Sequence, residues 1–304
     1  MLLVIEQIFN GLQLGVTLFL MSAGLTLVFG IMQVINLAHG SFYMIGAYVA
    51  ATVTARSGSF LLGMAVALPA AAVVGMLVEM VVLRRLYKKE HVDQVLATFG
   101  LIMFFNELTR ILWGRQPLFM DVPSWLSGSV ELIPGIPYPS YRIAVIGVGL
   151  MVALFLYLMF TRTRIGMQIR AGASNREMAG ALGINIRLLY TLVFGLGTLL
   201  AGLAGVMAGP ILAVEAGMGE SILILTFVVI VIGGIGSVRG AFIGALLVGM
   251  VDTLGRAFLP ALFRMFLSSA HADGVAASVA SMSIYILMAI ILIWRPKGLL
   301  PAHS

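Results

Sequence analysis

Few residues in this chain could do chemistry, and each has to be picked out of apolar sequence. Asn36, His39 and Ser41, with Gly40 among them, interrupt one apolar run. Polar groups in such a setting are costly and usually face a cavity or a partner, which makes these four residues candidates for a pathway or gate. Asn36 could also cap the helix that follows, and the two roles are compatible. Glu107 has Arg110 three residues on and Asp252 has Arg256 four residues on. Those spacings place each pair on one helix face and point to local ion pairs. Glu79 has no partner at helical spacing and is expected to snorkel or to meet a basic residue of another helix. Glu215, with Gly217 and Gly219 close by, reads as solvated in a turn. His39, His91, His271 and His303 show no metal-ligand spacing. Gly-x-Ser-x-Gly, His-Glu-x-x-His and a Walker phosphate loop are all absent, so no catalytic constellation is expected, and no metal or cofactor either.

The elements that must position these residues are membrane helices. The chain has 304 residues, of which 61% are apolar and 10% charged. A soluble domain of that length cannot hide so much apolar surface from water, whereas a bilayer can. The expected fold class is an all-α polytopic membrane protein, a single transmembrane domain over 1–304 with eight or nine transmembrane helices and glycine-interrupted segments. Candidate spans are 8–30, 39–55, 60–83, 95–113, 141–160, 188–212, 221–234, 241–258 and 275–294. Two are doubtful as full crossings: 221–234 is short, and 30–46 is broken by polar and glycine residues. The net charge of +6 does not suggest nucleic acid, because the basic residues collect in a few interspan loops. The absence of cysteine excludes disulfides and thiol chemistry. The N-terminus lacks a basic region, so no cleavable signal peptide is read.

Loop charge sets the expected orientation. Arg84, Arg85, Lys88 and Lys89 follow the third span, the segment 162–187 follows the fifth, and Arg295 and Lys297 follow the last. These are expected on the cytoplasmic side, which leaves the loop 114–140 outside. Its prolines 117, 123, 134, 137 and 139 suggest a stiffened irregular loop. The segment 162–187 carries Arg162, Arg164, Arg170, Arg176 and Arg187 around the polar run Ser174, Asn175, Arg176 and Glu177. From composition alone it is a solvated basic loop that marks the cytoplasmic face.

Glycines one helical turn apart occur at Gly11 and Gly15, at Gly205 and Gly209, and at Gly236, Gly240 and Gly244. Such spacing lets helix backbones approach closely in lipid, with packing inside one bundle favoured over a dimerisation face. Gly236 and Gly240 join the pathway or gate candidates as members of a second interrupted segment. A short echo between 36–42 and 237–242 is compatible with an internal repeat or with chance.

Three blocks carry a family resemblance. Residues 24–48, GLTLVFGIMQVINLAHGSFYMIGAY, come first; residues 170–185, RAGASNREMAGALGIN, second; residues 233–244, GGIGSVRGAFIG, with the ending 294–299, WRPKGL, third. Together they resemble the LivH-type permease subunit of bacterial ABC importers for branched-chain amino acids, over almost the whole chain. The resemblance implies import of branched-chain or related amino acids across the bacterial inner (cytoplasmic) membrane. It also implies a second homologous permease, two cytoplasmic ATPase subunits and a periplasmic or extracellular substrate-binding protein. ATP hydrolysis would lie on the partner subunits, consistent with the missing Walker loop. It further implies a coupling helix near 174–182, with Arg170, Ser174, Asn175, Arg176, Glu177, Ala179 and Gly183 as contact residues. Permeases for urea or short amides share these blocks and remain an alternative. A self-contained secondary transporter would need ionisable residues in mid-span, and few are present. A channel would need a repeated selectivity element, and none is seen.

Overall fold

A computed structural model describes residues 2–87, 89–133 and 135–302. Lys88, Pro134 and His303, which enter the charge, loop and histidine arguments above, lie outside the described residues. Long helices dominate: α1 Leu2–Met32, α2 His39–Ser57, α3 Phe60–Val78, α4 Arg84–Leu86 and α5 His91–Trp113, followed by α6 Ser140–Arg162. After α6 come α7 Arg164–Ser174, α8 Arg176–Ala181, α9 Ile186–Ala208, α10 Met218–Gly233, α11 Val238–Phe263 and α12 Ser269–Trp294. Among the described residues, seven helices are long and apolar enough to cross a membrane. Adding α2 and the shorter α10 reaches the expected number, and these two contain the segments marked as doubtful crossings.

The loop 114–140 is more ordered than its prolines suggest. It contains an antiparallel hairpin of β1 Ser129–Ile133 and β2 Ile136–Pro139. A two-stranded ribbon is all edge, so prolines 137 and 139 need not donate to a neighbour.

The chain packs as two compact units, and α1, α6 and α10 contribute residues to both. The first comprises the described residues of Met1–Phe19, Ser124–Leu150 and Thr226–Ser304. Here Gly11 and Gly15 lie against Met250 and Ala245–Leu246 of α11, so α1 and α11 run antiparallel in backbone contact. Gly240 and Gly244 pack on Gly233 and Val229, closing the α10–α11 hairpin. The tail locks onto the same place, with Leu299 and Leu300 N–H donating to Ile232 and Gly233 carbonyls at 2.9 Å each.

The second unit comprises Leu20–Pro123 and Met151–Leu225. Its centre is α9, which at 23 residues is about 34 Å long, enough to span a hydrocarbon core of about 30 Å. Gly202 and Gly205 of α9 receive the α2 backbone at Phe42, Tyr43, Gly46 and Ala47, so α2 and α9 run parallel. Gly75 of α3 lies against Thr198 and Gly195 against Met76, antiparallel. The glycine contacts of both units therefore serve packing within the bundle.

Candidate functional site

Three places in the second unit collect its polar groups. The first is the start of α2. Gly24 of α1 abuts Gly197, the midpoint of α9, and His39 Nε2 lies 3.0 Å from where a Gly24 side chain would begin. Helix α2 therefore starts at mid-depth rather than at the end of α1. Residues 33–38 run back along the bundle without helical structure, entered through Gln33 at φ 54°, a left-handed conformation unusual for a non-glycine residue. The expected interruption between 30 and 46 is thus a re-entrant segment. Asn36 and His39 are fully buried within it. Asn36 Oδ1 accepts the Ala38 N–H at 3.1 Å, a turn inside the segment rather than a cap on the helix body. Its Nδ2 and both ring nitrogens of His39 make no hydrogen bond of ordinary geometry among the described residues, although the Met21 carbonyl lies near the ring.

Helix α10 also starts at this depth, because the Gly40 and Gly219 backbones meet directly. Between the two helix starts is a void of about 10 Å³, bordered by Gly40, Ser41, Met44, Asn106, Gly219 and Glu220 among others. That is room for roughly one water molecule. Asn106 Nδ2 donates to Glu220 Oε1 at 2.5 Å across its rim. Sequence reasoning missed both residues, since nothing in the local spacing joins α5 to α10. Gly236 and Gly240 belong to the other unit. Gly236 turns at φ 82° and Gly240 packs on Gly233, and neither borders this void.

The second place is Glu79, fully buried at the end of α3. Its partner is Arg84, five residues on, a spacing no α-helix brings together. A π-helical turn, Glu79–Leu83, does so. Arg84 donates through Nε at 3.3 Å and through NH2 at 2.9 Å. Tyr87 donates its hydroxyl to Oε1 at 2.5 Å and Thr191 of α9 donates to Oε2 at 2.7 Å. Burial first, then the hydrogen bond to Glu79, pushes the Tyr87 phenol well above its ordinary pKa, which keeps it a donor. Beside it Tyr190 stacks edge-on against Tyr87 and donates to the Ile31 carbonyl at 3.3 Å. The expectation that Glu79 snorkels or meets a basic residue of another helix is corrected: its cation comes from its own helix continuation, because the π-helical turn brings Arg84 round to it. Glu107–Arg110 at 3.2 Å and Asp252–Arg256 at 2.9 Å pair as their spacings require.

The third place is the segment 162–187. The chain forms a helix within the expected range 174–182, α8, separated from α7 by Asn175. Its N–H closes α7 on the Ala171 carbonyl, and its side chain caps α8 by accepting from Glu177 and Met178 N–H at 3.1 and 2.9 Å. Gly183, at φ 88°, ends α8: its N–H donates to Gly180 and Ile184 N–H reaches back to Ala179, both near 3.0 Å. A side chain at Gly183 would meet nothing, so its backbone conformation is the reason for glycine. Ala179 is buried, while Arg170, Ser174, Asn175, Arg176 and Glu177 are exposed together with Met178 and Leu182. Arg170 donates to the Phe160 carbonyl, tying α7 back to α6. A cleft of about 250 Å³ separates the α7–α8 corner from Ile31 and Gln33, where the re-entrant segment begins.

A multi-pass helical bundle with broken helices at its centre and a short capped helix at one end is the architecture of a membrane transport permease. The family model of the branched-chain amino acid transport system permease component matches residues 7–293, and the chain belongs to that family. It is 31% identical to the high-affinity branched-chain amino acid transport permease LivH of Salmonella typhimurium, over 88% of this chain and 90% of that one. It is 30% identical to the permease BraD of Pseudomonas aeruginosa, over 97% and 95%. The ribose import permease RbsC of Escherichia coli is 27% identical over 82% and 77%. No solved structure matches the chain. Permeases of this family work with an ATPase and a substrate-binding protein.

Proposed function

We propose that this chain is one of two homologous permease subunits in an importer that carries branched-chain or related amino acids into the cytoplasm across the bacterial inner membrane. Two cytoplasmic ATPase subunits would supply the energy and an external binding protein the substrate. The family match over 7–293 carries the reading. The end bearing α7 and α8 is then cytoplasmic, and the hairpin loop 114–140 faces outward.

Helix α8 suits the coupling role. Asn175 and Gly183 fix both its ends, and Met178 and Leu182, 59% and 77% exposed, stand one turn apart as an apolar knob. Arg176 and Glu177 beside it offer polar contacts at the rim. Ala179 faces inward and anchors the helix to its own chain. Closure of the ATPases on ATP would move α8, and through α9 the cluster at Glu79 and the re-entrant segment.

Purification of the native complex is the test. An ATPase should copurify, and leucine uptake into liposomes should require it. Uptake by this chain without any ATPase would overturn the reading. A narrower check is Gly183→Val, expected to insert normally and to lose most uptake, because a β-branched residue at that φ distorts the end of α8.

A further inference from the structure

The outer faces of α3, α5 and α6 are mostly apolar, as lipid contact requires; the exposed Glu107–Arg110 pair on α5 interrupts them as a paired charge, and Glu220 does so as an unpaired one. Its side chain is exposed in the first turn of α10, beside Gly219. Gly219 abuts Gly40 at the depth of the α9 midpoint, so the carboxylate lies near mid-span. No cation pairs with it among the described residues, and it accepts a hydrogen bond from Asn106. A charge held there against lipid is costly, so the surface it faces is a polar path or a polar ligand. Behind it lies the void where the first turns of α2 and α10 converge, and those helix ends favour an anion. Ser41 borders the void and is 4% exposed, which places its hydroxyl at the start of α2 beside Gly40.

We propose that this junction is a solute-binding point for a zwitterionic amino acid, with Glu220 receiving the ammonium group and the Ser41 hydroxyl and α2 N-terminus receiving the carboxylate. The substrate class rests on the importer reading above; the polar path does not. The void of about 10 Å³ admits no amino acid as it stands, so entry parts Asn106 from Glu220 and slides Gly40 off Gly219. A contact made by two bare glycine backbones has no side chains to disengage.

The chain has no cysteine, so Glu220→Cys gives it a single thiol. In native membranes holding the complete complex, a charged, membrane-impermeant methanethiosulfonate should label that variant about ten times faster than Leu154→Cys. Leu154 is 58% exposed among Met151, Phe155 and Leu158 of α6. Equal rates would overturn the proposal. This readout measures access to the thiol and not transport or ATP hydrolysis, so it fails or succeeds separately from the importer reading. In the reconstituted complex Glu220→Gln should lower leucine uptake about tenfold, with ATP hydrolysis stimulated by the binding protein kept within about twofold. Ser41→Ala should lower uptake by about threefold, the loss of one hydrogen bond. Unchanged uptake in Glu220→Gln would overturn the assignment of the ammonium site.

Discussion

Glu79 and the Asn36–His39 segment are both fully buried in the same unit, yet their polar atoms are treated in opposite ways. Both carboxylate oxygens of Glu79 accept hydrogen bonds, from Arg84, Tyr87 and Thr191. Asn36 Nδ2 and the His39 ring nitrogens make none of ordinary geometry. Buried polar groups left without partners are rare in native structures, and each needs an explanation. The contrast divides the unit into an anchor and a moving part. The Glu79 cluster joins α3, α4 and α9, and Tyr190 extends it to the Ile31 carbonyl, where the re-entrant segment is about to begin. The segment itself is held by packing and one side-chain turn. Under the proposed function, its unpartnered polar atoms are suited to a second conformation that admits water or solute.

The largest expected effect comes from breaking the anchor. Glu79→Ala leaves Arg84, Tyr87 and Thr191 facing an empty buried site. Removing one partner of a buried pair costs about 3–5 kcal/mol, and the partly exposed Arg84 puts this case near the low end. The purified complex should unfold at a clearly lower temperature. A midpoint unchanged from the parent would mean that the cluster is not an anchor.

A smaller effect sharpens the same point. Thr191→Val keeps the shape and removes one donor to Glu79, at a cost of about 1 kcal/mol. Because Thr191 also accepts from Arg84 at 2.7 Å, the three residues form one network. The double variant with Glu79→Ala should therefore lose less stability than the two single losses added. Simple additivity would show that the hydrogen bonds act separately and that α9 is not tied in through them.

How far this contrast could be read from sequence depends on what periodicity measures. Glu107–Arg110 and Asp252–Arg256 were legible because an α-helix fixes the neighbours at three and four residues. Glu79–Arg84 was not, because the spacing of five works only through a π-helical turn that no residue type announces. The interruption at 30–46 showed as polar and glycine residues, but its depth did not. The level at which α2 starts follows from Gly24 meeting Gly197, a contact between positions far apart in sequence. The same holds for Asn106 and Glu220. On α8 the cap at Asn175 follows a recognisable local rule, whereas α7 before it was hidden in a segment that composition reads only as a basic loop. The order in 114–140 escaped notice because prolines, which weaken a central strand, are tolerated in a two-stranded hairpin.

The smallest expected change in stability is the most informative about the moving part. His39→Leu replaces a buried ring whose nitrogens lack partners by an apolar side chain of comparable size. Such a change removes a desolvated polar group without orphaning another, so stability should hold or rise by about 1 kcal/mol. Leucine uptake should fall all the same, because the alternative conformation that exposes the ring to water is then disfavoured. Thermal unfolding and uptake of one preparation measure both quantities. A loss of more than about 1 kcal/mol would mean that the ring has a working partner, with the Met21 carbonyl the nearest choice. His39 would then belong with Glu79 as an anchor, and the division of the unit into fixed and moving parts would have to be drawn elsewhere along 33–41.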